Sequence, residues 1–241
     1  MRLPPGCPVR SDTMKIQAEA LLFDNDGTLI SSLASVYRCW TRWAREYGIT
    51  AEEFARVELH GRPAAEIAAD LLPPEKVAEA VARIEELEVS DVAGGVELLP
   101  GTRALLDSLP SPQLSAPLEQ GGAPLRWAVV TSATRVLAEA RLAEAGIRPG
   151  LLIAADDITR GKPDPEPYLL AAAKLGVDPA RCVVFEDAPA GLQAGRAAGM
   201  TTVALATTHN GTELSADVLV KDLSAVSAQA TAGAVEITFA D

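Results

Sequence analysis

Leu21-Leu22-Phe23-Asp24-Asn25-Asp26-Gly27-Thr28-Leu29 decides how the rest of this chain is read. A short apolar run, bounded by polar residues, ends in two carboxylates separated by one residue. Such a run suits a strand buried on both faces of a parallel sheet. Asp24 and Asp26 then lie just past its C-terminal end, where open α/β sheets place their ligands. Two carboxylates this close repel unless a cation or a proton offsets them. The same residues also make an ordinary Asp-Gly turn, so the remainder of the chain must decide between the two.

Downstream, the pattern is helical for a long way. Val36, Cys39, Trp40, Trp43 and Tyr47 recur at helical spacing over residues 31–48, and the Trp pair reads as core packing. Thr50 and Glu53 form a capping-box pattern that opens a second helix. His60-Gly61-Arg62-Pro63 interrupts, a third helix follows over 64–72, and Pro73-Pro74 opens a fourth carrying Val77, Val81, Ile84, Leu87 and Glu88. Four consecutive helices after one strand do not fit an uninterrupted βαβ sheet. Residues 32–93 are therefore read as an inserted helical module, with hinges near residues 31 and 94.

From residue 102 helix and strand alternate. Strands are expected at 127–130, 151–154, 183–185, 203–206 and 218–220, with helices at 102–109, 134–145, 165–175 and 189–198. Residues 235–239 alternate like an edge strand or hairpin, and 108–122 reads as a long exposed loop. Repeated βα units imply an α/β fold with a doubly wound, mostly parallel Rossmann-like sheet. The expected division is 1–17 as an N-terminal extension without structure, 18–31 with 94–241 as the core, and 32–93 as the insertion.

Composition narrows the function. A net charge of −12 over 241 residues argues against nucleic acid or an anionic membrane as partner, and no apolar run is long enough to span a bilayer. Cys7, Cys39 and Cys182 are scattered without a paired motif, which fits a reducing cytoplasm. A small phosphorylated metabolite is compatible with this charge if local cations offset it. The chain is expected to be a monomer or a weak homo-oligomer.

Three further strand ends carry polar groups: Thr131-Ser132, the Lys162 loop and Glu186-Asp187. In a parallel sheet they share one edge with Asp24 and Asp26. Charge assigns roles. Asp24 can attack phosphorus and form an aspartyl-phosphate; Asp26 can protonate the leaving oxygen and later accept a proton from water. Mg²⁺, held by carboxylates such as Asp187 and Glu186, would offset the repulsion between anionic nucleophile and anionic substrate. Thr131 and its turn can bind phosphoryl oxygens, and Lys162 is a compact cation for the phosphoryl group and nucleophile. Singly, Thr131 could equally start a turn, Lys162 could be solvated, and Glu186 and Asp187 could favour a helix N-terminus.

Taken in order, these residues resemble the motifs of the haloacid dehalogenase (HAD) superfamily: Asp24-Asn25-Asp26-Gly27-Thr28, Thr131, Gly161-Lys162-Pro163-Asp164-Pro165, and Glu186-Asp187-Ala188-Pro189-Ala190-Gly191. The helical insertion is similar to that family's small α-helical cap. Trp40-Thr41-Arg42-Trp43-Ala44, His60-Gly61-Arg62 and Val129-Val130-Thr131-Ser132 carry a closer resemblance to the β-phosphoglucomutase-like branch, and within it to 2-deoxyglucose-6-phosphate and glycerol-phosphate phosphatases. The resemblance implies a Mg²⁺-dependent phosphatase of small sugar or polyol phosphates. Catalysis would fall to Asp24, Asp26 and Lys162, and substrate binding to Thr131, Ser132, Lys162, His60 and Arg62. The metal would be held by Asp24, Asp187, Glu186 and the main-chain carbonyl of Asp26. His60 and Arg62 would face the leaving group, although their loop is also a plain turn. A phosphosugar mutase is the first alternative, with Thr28 favouring the phosphatase; a dehalogenase and a non-catalytic module are others. Ser31 and Asn25 depart from the family pattern, which more often has an acidic and an apolar residue there.

Overall fold

The computed structural model describes residues 14–57, 59, 62–109, 126–231 and 234–240. His60 and all but the first residues of the loop expected at 108–122 lie outside this set.

The chain opens with β1 (Lys15–Ala18), the apolar strand β2 (Ala20–Phe23) and the two-residue β3 (Ile30–Ser31). Four helices follow: α1 (Leu33–Glu46), α2 (Ala51–Phe54), α3 (Ala64–Leu71) and α4 (Pro74–Ser90). The Thr50–Glu53 capping box forms as its spacing demands, each side chain bonding the other residue's backbone N–H. Next come β4 (Glu97–Leu98), α5 (Thr102–Ser108), β5 (Arg126–Val130), α6 (Arg135–Glu144), β6 (Leu152–Ile153) and α7 (Glu166–Leu175). The chain ends with β7 (Cys182–Glu186), α8 (Pro189–Ala197), β8 (Thr201–Leu205), β9 (Val218–Val220), β10 (Val226–Thr231) and β11 (Ala234–Phe239).

Six strands form one sheet in the order β6-β5-β2-β7-β8-β9, every pair parallel. Counting only these strands along the chain, the order is the 3-2-1-4-5-6 of a doubly wound Rossmann-like sheet, whose direction of growth reverses between β2 and β7. The period-two alternation of strands sorts their residues onto two cores. Leu21, Phe23, Trp127, Val129, Val183 and Phe185 face one core together with α5 and β11. Ala20, Leu22, Ala128, Val130 and Val184 face the other, under Tyr168, Ala171 and Leu175 of α7. Phe23 pairs in register with Val129 on one side and Phe185 on the other. That register brings the residues after them, Asp24, Val130 and Glu186, to one level of the sheet.

α1, α3 and α4 enclose a separate apolar core of Trp40, Trp43, Ile67, Ile84 and Leu87. Trp43 is fully buried and its indole N–H donates to Ala80 O at 2.8 Å, so the Trp pair serves packing as the sequence implied.

One expectation is corrected and another is met by one of its two alternatives. Lys15–Gln17, assigned to an extension without structure, belong to β1. Residues 235–239, read as an edge strand or hairpin, pair antiparallel with the preceding strand β10 as in a hairpin, and with β1 on the other side, so they lie at the centre of a sheet ordered β1-β11-β10. Both neighbours were missed because they bury little: β10 exposes or half-exposes all but its first residue and β1 all but its last. Only β11, with Val235, Ile237 and Phe239 buried on one face, carries a full alternating pattern.

Candidate active site

Asp24 leaves the end of β2 with its backbone N–H bonded to Phe185 O at 3.0 Å. The turn beyond it is tight, because the N–H groups of Thr28, Leu29 and Ile30 all donate to Asn25 O. Gly27 within it has φ +94°, a left-handed conformation that strongly favours glycine, and a Cβ there would collide with the Asp187 carboxylate. The close approach of the first motif to the fourth therefore depends on this glycine.

Lys162 reaches the same point from the loop before α7. Its Nζ donates to Asp24 Oδ1 at 2.6 Å, Glu186 Oε1 at 2.6 Å and Val130 O at 2.9 Å. All three donor directions of the ammonium are thereby used. Burial by itself would lower the Lys162 pKa, but the Asp24 and Glu186 carboxylates outweigh it and hold the ammonium charged. Burial drives the Asp24 carboxyl well above the usual carboxylate range; Lys162 opposes this, while Glu186 and Asp187 add to it. Keeping Asp24 ionised therefore calls for more positive charge than Lys162 supplies.

Asp24, Glu186 and Asp187 each offer a carboxylate oxygen, all within 4.8 Å of one another. A set of hard oxygen donors with excess negative charge fits a cation such as Mg²⁺. The three are not equivalent. Both Glu186 oxygens are engaged: Oε1 accepts from Lys162 and from Tyr168 Oη (2.8 Å), and Oε2 accepts from the N–H groups of Asp187 (3.2 Å) and Ala188 (3.3 Å). Burial keeps the Tyr168 phenol protonated as a donor, its pKa well above the ordinary value. Glu186 is thus a support for Lys162, packed over Gly191, where a Cβ would strike it. Asp187 Oδ1 accepts from Thr28 Oγ1 at 3.3 Å and Oδ2 accepts from Thr208 Oγ1, hydroxyls that aim the carboxylate.

Asp26 faces the same cavity but different partners. Its Oδ1 accepts from Ser32 Oγ at 2.6 Å and Arg141 Nη1 at 3.0 Å; Asn25 Nδ2 donates to its Oδ2 at 3.2 Å. Asn25, unexplained by the sequence, is fully buried and braces its neighbour. Thr131 accepts from the Ala133 N–H at 3.1 Å, so it does shape a turn, and its hydroxyl hydrogen remains a donor for an anion. Thr131, Ser132 and Arg62 line the cavity with Asp24, Asp26 and Lys162, beneath apolar side chains of α1 and α4. Arg62 is paired with Asp70 at 2.8 Å. The cavity holds about 260 Å³.

Asp24, Asp26, Thr131, Ser132, Lys162, Glu186, Asp187 and Arg62 are therefore brought to one cavity. The sequence reading overlooked Tyr168, Thr208, Arg141 and the pairing of Glu88. A signal existed for two of these. Arg141 falls on the inward stripe of α6 with Leu137, Ala138 and Leu142, and Glu88 on that of α4 with Ile84 and Leu87. A charged residue on a buried stripe needs a partner.

Comparison with known proteins agrees with this geometry. The pattern of the family described as haloacid dehalogenase-like hydrolase matches residues 18–199. Hexitol phosphatase A of Escherichia coli (strain K12) is 38% identical over 194 residues, 79% of this chain and 84% of that protein. Validoxylamine A 7′-phosphate phosphatase of Streptomyces hygroscopicus subsp. limoneus is 41% identical over 210 residues, 85% of this chain and 94% of that protein. Among solved structures, CbbY from Rhodobacter sphaeroides in complex with phosphate superposes with a TM-score of 0.71 at 26% identity, covering 86% of this chain and 95% of that one.

Proposed function

The chain belongs to the haloacid dehalogenase-like hydrolases, and from that premise we propose that it is a Mg²⁺-dependent phosphomonoesterase of small sugar or polyol phosphates. The observation that carries the reading is the Lys162 ammonium held between Asp24 and Glu186, beside Asp187 and lining a cavity of small-metabolite size. Relatives named as hexitol phosphatase A, 2-deoxyglucose-6-phosphate phosphatase 1 and glycerol-1-phosphate phosphohydrolase 2 support the same substrate class.

In this mechanism the Thr131 hydroxyl donates to a phosphoryl oxygen, with the Ser132 turn beside it, and the Lys162 ammonium, its three bonds given to Asp24, Glu186 and Val130 O, acts on the phosphoryl group through its charge. An Asp24 oxygen attacks phosphorus; the bond to the ester oxygen breaks, and Asp26 gives that oxygen a proton. Water then attacks the aspartyl-phosphate, Asp26 takes its proton, and inorganic phosphate leaves with Asp24 restored. A Mg²⁺ ion bound by Asp24, Asp187 and the main-chain carbonyl of Asp26 would supply the counter-charge that lets an anionic carboxylate approach an anionic ester. Residues 32–93 serve as a cap over a core of 18–31 and 94–241, excluding bulk water during the chemistry. His60, outside the described residues, and Arg62 are assigned to the substrate's leaving group. A cytoplasmic location suits a small phosphorylated substrate; among the described residues no helix is long and apolar enough to cross a membrane.

The test is a panel of phosphate monoesters, from glycerol phosphate and hexitol phosphates to 2-deoxyglucose 6-phosphate, assayed with Mg²⁺ and with EDTA. Mg²⁺-dependent phosphate release that vanishes in Asp24→Asn, with folding retained, is expected. Isomerised glucose 1-phosphate without phosphate release would point instead to a mutase. Near-normal turnover by Asp24→Asn would refute the mechanism.

A further inference from the structure

A buried ion chain runs from the helical module to Asp26, and its other two members, Glu88 and Arg141, have no part in the mechanism above. Arg141 of α6 is 5% exposed and Glu88 of α4 is 7% exposed. Arg141 divides its guanidinium between two carboxylates: Nη1 donates to Asp26 Oδ1 at 3.0 Å, and Nη2 donates to Glu88 Oε1 at 3.2 Å. Asp26 lies 115 residues and Glu88 53 residues from Arg141 in sequence, so neither contact is local. Asp26 Oδ1 takes its other bond from Ser32 Oγ, at the point where the chain enters the helical module.

Guanidinium is a planar fork suited to holding one carboxylate through two parallel bonds. Here the fork is split. Its plane, and with it the direction of the bond to Asp26, is set jointly by the core residue and by Glu88. We propose that Arg141 is a positioning residue for Asp26, and that Glu88 acts through it, so that the placement of α4 sets the aim of the acid/base carboxylate. This rests on the phosphomonoesterase reading above and adds to it two residues that line the same cavity, one bonded to the acid/base carboxylate and the other acting through the first.

The helix pair has other ties, which make the variants fit for assay. Glu85 of α4 accepts from Thr134 Oγ1, and the Gly94 N–H donates to Glu144 Oε1 at 3.1 Å. Losing the Arg141 bonds therefore leaves α4 attached to α6.

The experiment compares leaving groups. p-Nitrophenyl phosphate expels a phenolate that needs little protonation, whereas an alkyl ester depends on a well-aimed general acid. kcat and KM are measured for p-nitrophenyl phosphate and for the fastest alkyl ester of the panel, in wild type, Arg141→Met, Arg141→Lys, Glu88→Gln and the Arg141→Met/Glu88→Gln double variant. Arg141→Met should lower kcat/KM on the alkyl ester, which reports formation of the aspartyl-phosphate and not its hydrolysis, by roughly 10- to 100-fold, the cost of a misplaced catalytic group. Its kcat/KM on p-nitrophenyl phosphate should fall less than about 3-fold on the same argument, whereas kcat falls on both esters where the shared hydrolysis step, with Asp26 as base, limits turnover. Arg141→Lys should recover part of the loss, and the double variant should lose no more than Arg141→Met, because Glu88 acts through the arginine. Equal losses of kcat/KM on both esters, no loss, or additive losses in the double variant overturn the inference alone. A wild-type protein that hydrolyses neither ester overturns the phosphomonoesterase reading and the inference with it.

Discussion

Lys162 Nζ lies 2.6 Å from Asp24 Oδ1, across 138 residues of sequence, with both side chains nearly excluded from solvent. The same ammonium bridges to Glu186, so one cation holds together the ends of β2 and β7, where the sheet changes its direction of growth. Replacing Lys162 by Met removes that charge while keeping much of the volume. Turnover should fall by at least about 10²-fold, as for loss of a donor aimed at developing charge. Stability should also drop, by about 3–5 kcal/mol, since a broken buried pair leaves uncompensated carboxylates. Steady-state kinetics and urea unfolding check both; a variant with wild-type kcat would remove Lys162 from the mechanism.

Gly27→Ala tests the approach of the first motif to Asp187. The residue sits at φ +94°, and its Cβ would meet the Asp187 carboxylate rather than the end of a flexible chain. The expected cost is about 1–3 kcal/mol of backbone strain, with phosphatase activity reduced because Asp187 must move. Denaturant titration alongside kinetics measures this; a variant as stable and active as wild type contradicts the close packing described for this turn.

Thr208→Val removes the hydroxyl that donates to Asp187 Oδ2 and leaves the carboxylate less firmly aimed. Residues that orient a metal ligand influence affinity more than they influence chemistry at saturation, and their loss costs about 10- to 100-fold in metal binding. The Mg²⁺ concentration for half-maximal activity should rise by that factor, with kcat largely restored at high Mg²⁺. An unchanged Mg²⁺ requirement would show that Thr208 does not tune the metal site.

The helical module carries a pH-sensitive clamp away from the site. Arg83 of α4 donates to both oxygens of Glu46 at the end of α1, at 2.7 and 3.0 Å, and Arg42 donates to Oε1 at 2.9 Å. The hydrogen bonds from Arg83, foremost, hold the Glu46 carboxyl down from its ordinary 4.5 to about 2. A carboxyl depressed in the folded state contributes stability above its unfolded pKa and loses it as pH falls through the folded one. The window for Glu46 is therefore from about 4.5 down to about 2. In thermal melts, Glu46→Gln should be less stable than wild type at pH 7, and the gap should narrow as pH falls below 4.5. A gap that is constant with pH would mean the ion pair contributes nothing.

Much of the site was legible because chemistry and strand ends coincide. Asp24, Thr131, Glu186 and Asp187 each follow an apolar run, and a parallel sheet places such ends on one edge whatever the order of its strands. The helices at 33–46 and 74–90 were equally legible, as their apolar stripes and caps are local signals. The partners of Glu186 were not legible: its four donors come from Lys162, Tyr168 and two backbone amides, and only the fold brings the first two to it.

By itself the sequence determined the alternating βα core, the inserted helices and the acidic, phosphate-directed character of one sheet edge. Those follow from periodicity and turn chemistry, which act over a few residues. The tertiary structure alone decided that Lys162 and Tyr168 meet on Glu186, that Thr208 aims Asp187, that Asn25 braces Asp26, and that Arg141 joins Asp26 to Glu88. Apart from Asn25 with its neighbour, each depends on strand register and helix docking between residues 18 or more apart in the chain. No short-range pattern encodes a hydrogen bond over that separation; it exists only once both elements are packed.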